Sequence, residues 1–136
     1  MTTPLESRPL VLALVDMLET ALPTIGIHWA GAPLNGDPPY AVLYPVPGMK
    51  SSLHRSLTNA APTDLRFQVT AVGETPEQAA WVSDKVATAL YTAVPSVAGR
   101  RVWPAVQESA QPVRRDDEST ALFIATSLWL TRSDPI

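Results

Sequence analysis

Between residues 64 and 93 the chain alternates apolar and polar positions and then changes period. Leu65, Phe67, Val69 and Ala71 alternate with Arg66, Gln68 and Thr70, which predicts a strand with one buried face. Gly73 ends the alternation. Beyond it Ala79, Val82, Val86, Ala89, Leu90 and Ala93 recur at three- and four-residue steps. That spacing predicts a helix over residues 76–92 that lays an apolar stripe on the sheet. Its start is well marked: Thr75 offers an N-cap oxygen, Pro76 stands where a missing N–H costs nothing, and Glu77 sits beside the positive helix end.

The same periods predict a first helix, capped by Ser7 and opening with Arg8 and Pro9. Leu10, Ala13, Leu14, Met17, Leu18 and Ala21 form its stripe until Pro23 stops it. A short strand is expected over residues 25–29 and a second over 40–44, closed by Pro45 and the Pro47-Gly48 pair. Residues 49–63 are polar, weakly patterned and long for a connection, which points to a functional or a disordered loop. Residues 101–107 suit a strand, although Pro104 confines it to an edge or forces a bulge. A charged hairpin connection then spans residues 108–119.

The longest β-like run covers residues 120–132. One parity carries Leu122, Ile124, Thr126, Leu128 and Leu130, and the other Ala121, Phe123, Ala125, Ser127 and Trp129. A strand apolar on both faces must be covered on both, and two helices scarcely cover both faces of a four- or five-stranded sheet. The expected fold is therefore a single α+β domain over residues 1–136. It has a mainly antiparallel sheet of four to five strands packed by two helices, with surplus apolar surface left for other subunits.

At 136 residues there is room for one core and no separate cofactor module. The net charge of -3 gives no field that favours nucleic acid or an anionic membrane. The absence of cysteine excludes disulfides, thiolate metal sites and thiol nucleophiles. The first residues lack a basic stretch followed by a long apolar run, so a soluble, unexported protein is expected. Proline, at 14 residues, is about twice as frequent as the ~5% average. Most prolines fall in connections, and stiff connections lose less entropy when they serve as contact surfaces.

Catalytic, metal and cofactor residues are expected to be none. His28 and His54 are the only histidines, and neither has a carboxylate or second histidine at helical ligand spacing. His28 reads as a structural strand residue and His54 as a solvated loop residue. No nucleophile elbow, phosphate loop or dinucleotide fingerprint occurs. The run Arg114, Arg115, Asp116, Asp117, Glu118 reads in a monomer as a solvated hairpin tip, its pairs contributing about 0–1 kcal/mol each. In a symmetric ring, Arg114 or Arg115 of one copy would pair with Asp116 or Asp117 of the next.

Trp81 falls at 100° per residue among Asp84, Lys85, Thr88 and Thr92, away from Val82, Val86 and Leu90. It is either a rim residue over the sheet or an interface anchor. Trp103, Phe123 and Trp129 are candidates for the same interface. Lys50, His54 and Arg55 make the 49–63 loop mildly basic, suited to a phosphate backbone, to an acidic neighbour or simply to solvent.

The order helix, short strand, PPYAVLYPVPG, long loop, RFQVTAVG, TPEQA with Asp84 following, and a last hairpin around RRDDES before Trp129 resembles the tail terminator (tail-completion) proteins of long-tailed phages. The resemblance spans nearly the whole chain. It implies a non-enzymatic virion protein, assembled in the host cytoplasm, whose homohexameric ring caps the tail tube and meets a head-neck connector protein. It also implies that DNA passes through the lumen without specific binding, for which an acidic chain is apt. Two other classes stay open: another neck or head-completion connector, and a small α/β ligand-binding or enzymatic module using His28, Tyr40, Tyr44 and Asp64.

Overall fold

Two long antiparallel strands, Thr63–Gly73 (β4) and Phe123–Pro135 (β8), form the spine of a mixed sheet. The structure, a computed structural model, describes residues 8–30, 37–46, 49–50, 63–116 and 121–135. The remaining elements are α1 (Arg8–Ala21), β1 (Gly26–Trp29), β2 (Tyr40–Pro45), β3 (Met49–Lys50), α2 (Pro76–Thr92), β5 (Arg100–Val102), β6 (Val106–Ala110) and β7 (Arg114–Arg115). The sheet order is β1-β2-β4-β8-β5, with β3 beside β4 and with β6 and β7 beside β8. Eight strand segments thus fill five tracks, because two of the tracks are broken. Among the described residues only β1 and β2 pair in parallel. The fold is α+β, as the sequence predicts, with the sheet carried by more segments than expected.

Proline explains one broken track. Pro104 and Pro112 bring no N–H to the ladder, so residues 100–116 pair with β8 in three pieces. The pieces form one edge: the Trp103 N–H donates to the Arg132 carbonyl at 2.8 Å, Gln111 to Thr126 at 2.8 Å and Asp116 to Leu122 at 2.9 Å. The strand expected over residues 101–107 is therefore two strands, divided at Pro104. Residues 108–116, expected as a connection, are largely paired, with a register shift between Gln107 and Ser109. The 49–63 loop is also shorter than expected, since Met49 and Lys50 pair with Asp64 and Thr63. Residues 51–62 lie outside the described residues.

Both helices pack on one face. Leu65, Phe67, Val69 and Ala71 of β4 stand opposite Thr131, Trp129, Ser127 and Ala125 of β8, and all eight are buried beneath the helices. Val82, Val86, Ala89 and Leu90 close the core from α2. From α1 the buried residues are Leu10, Val11, Leu14 and Leu18. The α1 stripe is thus turned toward Val11, leaving Ala13 and Met17 half-buried and Ala21 exposed.

The helix start works as predicted and has one more part. The Gln78 N–H donates to the Thr75 hydroxyl at 3.0 Å, and the Gln78 side-chain oxygen accepts from the Glu74 N–H at 2.7 Å. The reciprocal pair satisfies two backbone donors at the entrance to α2. It also draws the helix start tightly over the end of β4. A Cβ on Gly73 would collide with the Ala79 backbone nitrogen and lie 2.8 Å from the Gln78 carbonyl carbon.

Gly73→Ala is therefore expected to cost about 1–3 kcal/mol, the range for overpacking, since only backbone can move to make room. Chemical denaturation checks it. A variant as stable as the parent would disprove the close approach.

Candidate assembly surface

The sheet's other face carries no helix among the described residues. It presents Tyr40, Val42 and Tyr44 from β2, Arg66, Gln68, Thr70 and Val72 from β4, and Ile124, Thr126, Leu128 and Leu130 from β8. Tyr40, Val42 and Val72 are buried there in a small cluster with Leu122 and Ile124. Farther along, Tyr44, Leu128 and Val106 stand exposed. A depression of about 470 Å³ opens between these groups, with Tyr40, Tyr44, Gln68, Thr70, Arg114 and Asp116 in its wall. The Gln68 amide nitrogen donates to the Thr70 hydroxyl at 3.1 Å, and the His28 ring meets Tyr40 edge-on at 5.7 Å.

Electrostatics on this face are internally matched. Arg66 reaches across β8 to Glu108 at 3.1 Å, and Arg132 grips its register neighbour Asp64 through two bonds of 2.7 and 3.2 Å. The Asp64 hydrogen bond and charge raise the Arg132 pKa. Burial raises that of the Tyr40 phenol, and the nearby Asp116 and Tyr44 add to the effect.

The ligand-pocket grouping of His28, Tyr40, Tyr44 and Asp64 is only partly assembled. The first three share this face. Tyr40 pairs with Val72, eight residues along β4 from Asp64, a separation of roughly 26 Å at strand rise.

The candidate interface residues divide. Trp81 is 41% exposed on α2, and Trp103 is 45% exposed beside the edge track. The Trp103 indole donates to Asp134 at 2.7 Å, and the Arg101 guanidinium lies 5.9 Å from its ring centre. Trp129 must be corrected: it is 1% exposed, under Tyr91 of α2, with its indole N–H donating to Ser127 at 2.8 Å. Its parity of β8 faces the helices, so it is core rather than interface. Phe123 is half-buried, with the Arg115 guanidinium 4.9 Å over its ring. Arg114 and Arg115 are exposed and Asp116 is half-buried. Asp117, His54 and Arg55 lie outside the described residues, and Lys50 is placed by its backbone alone.

Two features carry no clear sequence signal. Arg100 is buried, donating to the Ser133 hydroxyl at 3.1 Å and to the Ser133 carbonyl at 2.8 Å. Burial lowers its pKa, and Asp134 opposes that shift. The second is an apolar groove of about 650 Å³ between α1 and the exit from α2, lined by Pro9, Leu12, Met17, Val94 and Pro95 among others. Leu12 lies off the predicted stripe, the one hint of a second apolar side. Among the described residues there is no group of three or more potential metal ligands. No described helix is long and apolar enough to cross a membrane.

No protein-family model matches the chain, and no curated protein sequence does. Solved structures do match in fold. One is a chain from the virion of a native gene transfer agent (GTA) particle, with a TM-score of 0.66 and 17% identity, covering 90% of this chain and 92% of that one. At that identity the likeness concerns the fold.

Two outcomes follow for the site residues. Trp129→Ala is expected to cost about 3–5 kcal/mol, whereas Trp81→Ala should cost less than about 1 kcal/mol; equal effects in urea titration would contradict the placement of these rings. Tyr40, whose folded pKa is raised, contributes stability that is intact below its unfolded pKa of about 10 and is lost as pH rises through the folded value. The parent should therefore lose more stability above pH ~10 than Tyr40→Phe does, as denaturant midpoints measured across alkaline pH would show.

Proposed function

We propose that the chain is a structural virion protein, a tail terminator whose copies form a ring that caps the tail tube and joins it to the head-neck complex. It works by shape and contact, without turnover. The observation that carries this is one-sided coverage: both helices lie on one face of the sheet, while Tyr44, Leu128 and Val106 stand exposed on the other. An open sheet face with apolar side chains among polar ones suits contact with another chain. The fold likeness to a chain of a gene transfer agent virion, over nearly the full length of both, supports the same reading. So does the residue resemblance to tail terminators.

A ring closes only if two different sides of each protomer are complementary. Trp81 and Trp103, with the run Arg114, Arg115 and Asp116, are the contact residues proposed for those sides. DNA passes through the lumen without specific binding, in keeping with the net charge of -3.

Electron microscopy of the purified protein, alone and mixed with tail tubes of its own particle, tests the assignment. Closed rings seated on tube ends are the expected result. Tubes that remain bare at every protein concentration would overturn the assignment. Rings that bind only the head portal would favour the neck-connector alternative.

A further inference from the structure

The charges of this chain are separated along the strand axis. β4 runs from an end where Thr63 pairs with Ser133 to an end where Gly73 pairs with Phe123. Every other element can be placed against that axis. β2 and the parallel β1 both start at the Gly73 end, because Tyr40 pairs with Val72 and Gly26 with Tyr40. α1 turns into β1 through residues 22–25, so its C-terminus lies at the Gly73 end, and its 14 residues carry Arg8 roughly 20 Å from that point. α2 leaves from the Gly73 end, and β5 lies beside Ser133 at the Thr63 end.

Among the described side chains, the Thr63 end gathers Arg8, Arg100, Arg101 and Arg132 against Asp64 and Asp134, a surplus of two positive charges. The Gly73 end gathers Glu19, Asp37, Glu74, Glu77 and Asp116 against Arg114 and Arg115, a surplus of three negative charges. Arg8, Arg101, Glu19, Asp37, Glu74 and Glu77 are all exposed. The salt bridges Arg66–Glu108 and Arg132–Asp64 each join groups at similar heights on the sheet, so neither alters the charge difference between its ends.

We infer that the acidic Gly73 end of one copy docks on the basic Thr63 end of the next, so that the occupant of each end is a second copy of this chain. The inference rests on the ring proposed above and names the surfaces that meet. Opposite potentials on two ends of one molecule favour head-to-tail contact and disfavour head-to-head or tail-to-tail contact. They also divide the proposed contact residues between the two partners. Trp103 stands with Arg101 and Asp134 at the basic end, and Arg114 to Asp116 stand at the acidic end.

Two charge-reversed proteins test this. The first, Glu19→Lys with Glu74→Lys, makes both ends basic. The second, Arg8→Glu with Arg101→Glu, makes both ends acidic. The α1 changes suit the helix, with a cation near its C-terminus and an anion near its N-terminus, and melting curves would verify that both proteins fold.

Native mass is then measured by sedimentation at about 0.05 M and about 0.5 M NaCl, where screening lengths differ roughly threefold. The parent is expected to assemble at low salt and to dissociate at high salt. Each variant alone should remain a protomer, and an equimolar mixture should regain the assembled mass, because every contact then joins opposite charges.

Assembly of either variant alone, or a mixture that stays at protomer mass, would overturn the inference. A parent that never assembles by itself yet caps tail tubes would overturn it too, while leaving the tail-terminator reading intact.

Discussion

The structure depends on one ladder, the pairing of β4 with β8 under α2. Phe67 and Trp129 stand opposite each other in that ladder, and both are 1% exposed. Their rings, with Leu65 and Val69, make the floor on which Val82, Val86 and Leu90 pack. Because the side-chain period of a strand is two, a slip of one residue would move the whole floor to the open face. The turn after Gly73 holds α2 in place above this floor. It does so through the reciprocal bonds of Thr75, Gln78 and Glu74 and through backbone contact that only glycine permits. Register and helix placement are therefore one constraint seen from two sides.

How far the fold could be read from sequence follows from which surfaces are wet. β4 is dry on one face and polar on the other, so its alternation was plain, and α2 occupies residues 76–92 as predicted. The track formed by β5, β6 and β7 is exposed along most of its length. An edge that buries few side chains shows no period, and residues 108–116 accordingly looked like a connection.

β8 posed the opposite difficulty. Both of its parities are apolar, so pattern alone did not reveal which one met the helices. The buried parity proved to include Ser127, Thr131 and Ser133 as well as Trp129. Their hydroxyls are tolerated because they are bonded: Ser127 accepts from the Trp129 indole and Thr131 donates to the Trp103 carbonyl. Buried hydroxyls that serve fixed donors and acceptors look polar in sequence and behave as core in the fold. That is why Trp129 was legible as important and not as internal. Trp81 was the simpler case, since helical phase alone put it outside.

The open face and the two ends of the sheet are different kinds of surface. On the open face Arg66 pairs with Glu108 and Arg132 with Asp64 within the protomer, so what that face offers a partner is mainly apolar area and hydrogen-bonding side chains. Contacts of that kind tolerate several orientations, because hydrophobic burial has no direction. The ends, with opposite surpluses of charge, supply what the face lacks. Charge acts at longer range and discriminates between approaches before close contact is made. In a closed assembly of identical copies, wrong relative orientation is the main hazard, since any contact that fails to close propagates into an open filament. In the ring proposed above, dividing the work between an apolar face and two charged ends would give each copy both the area to remain bound and the polarity to arrive facing one way.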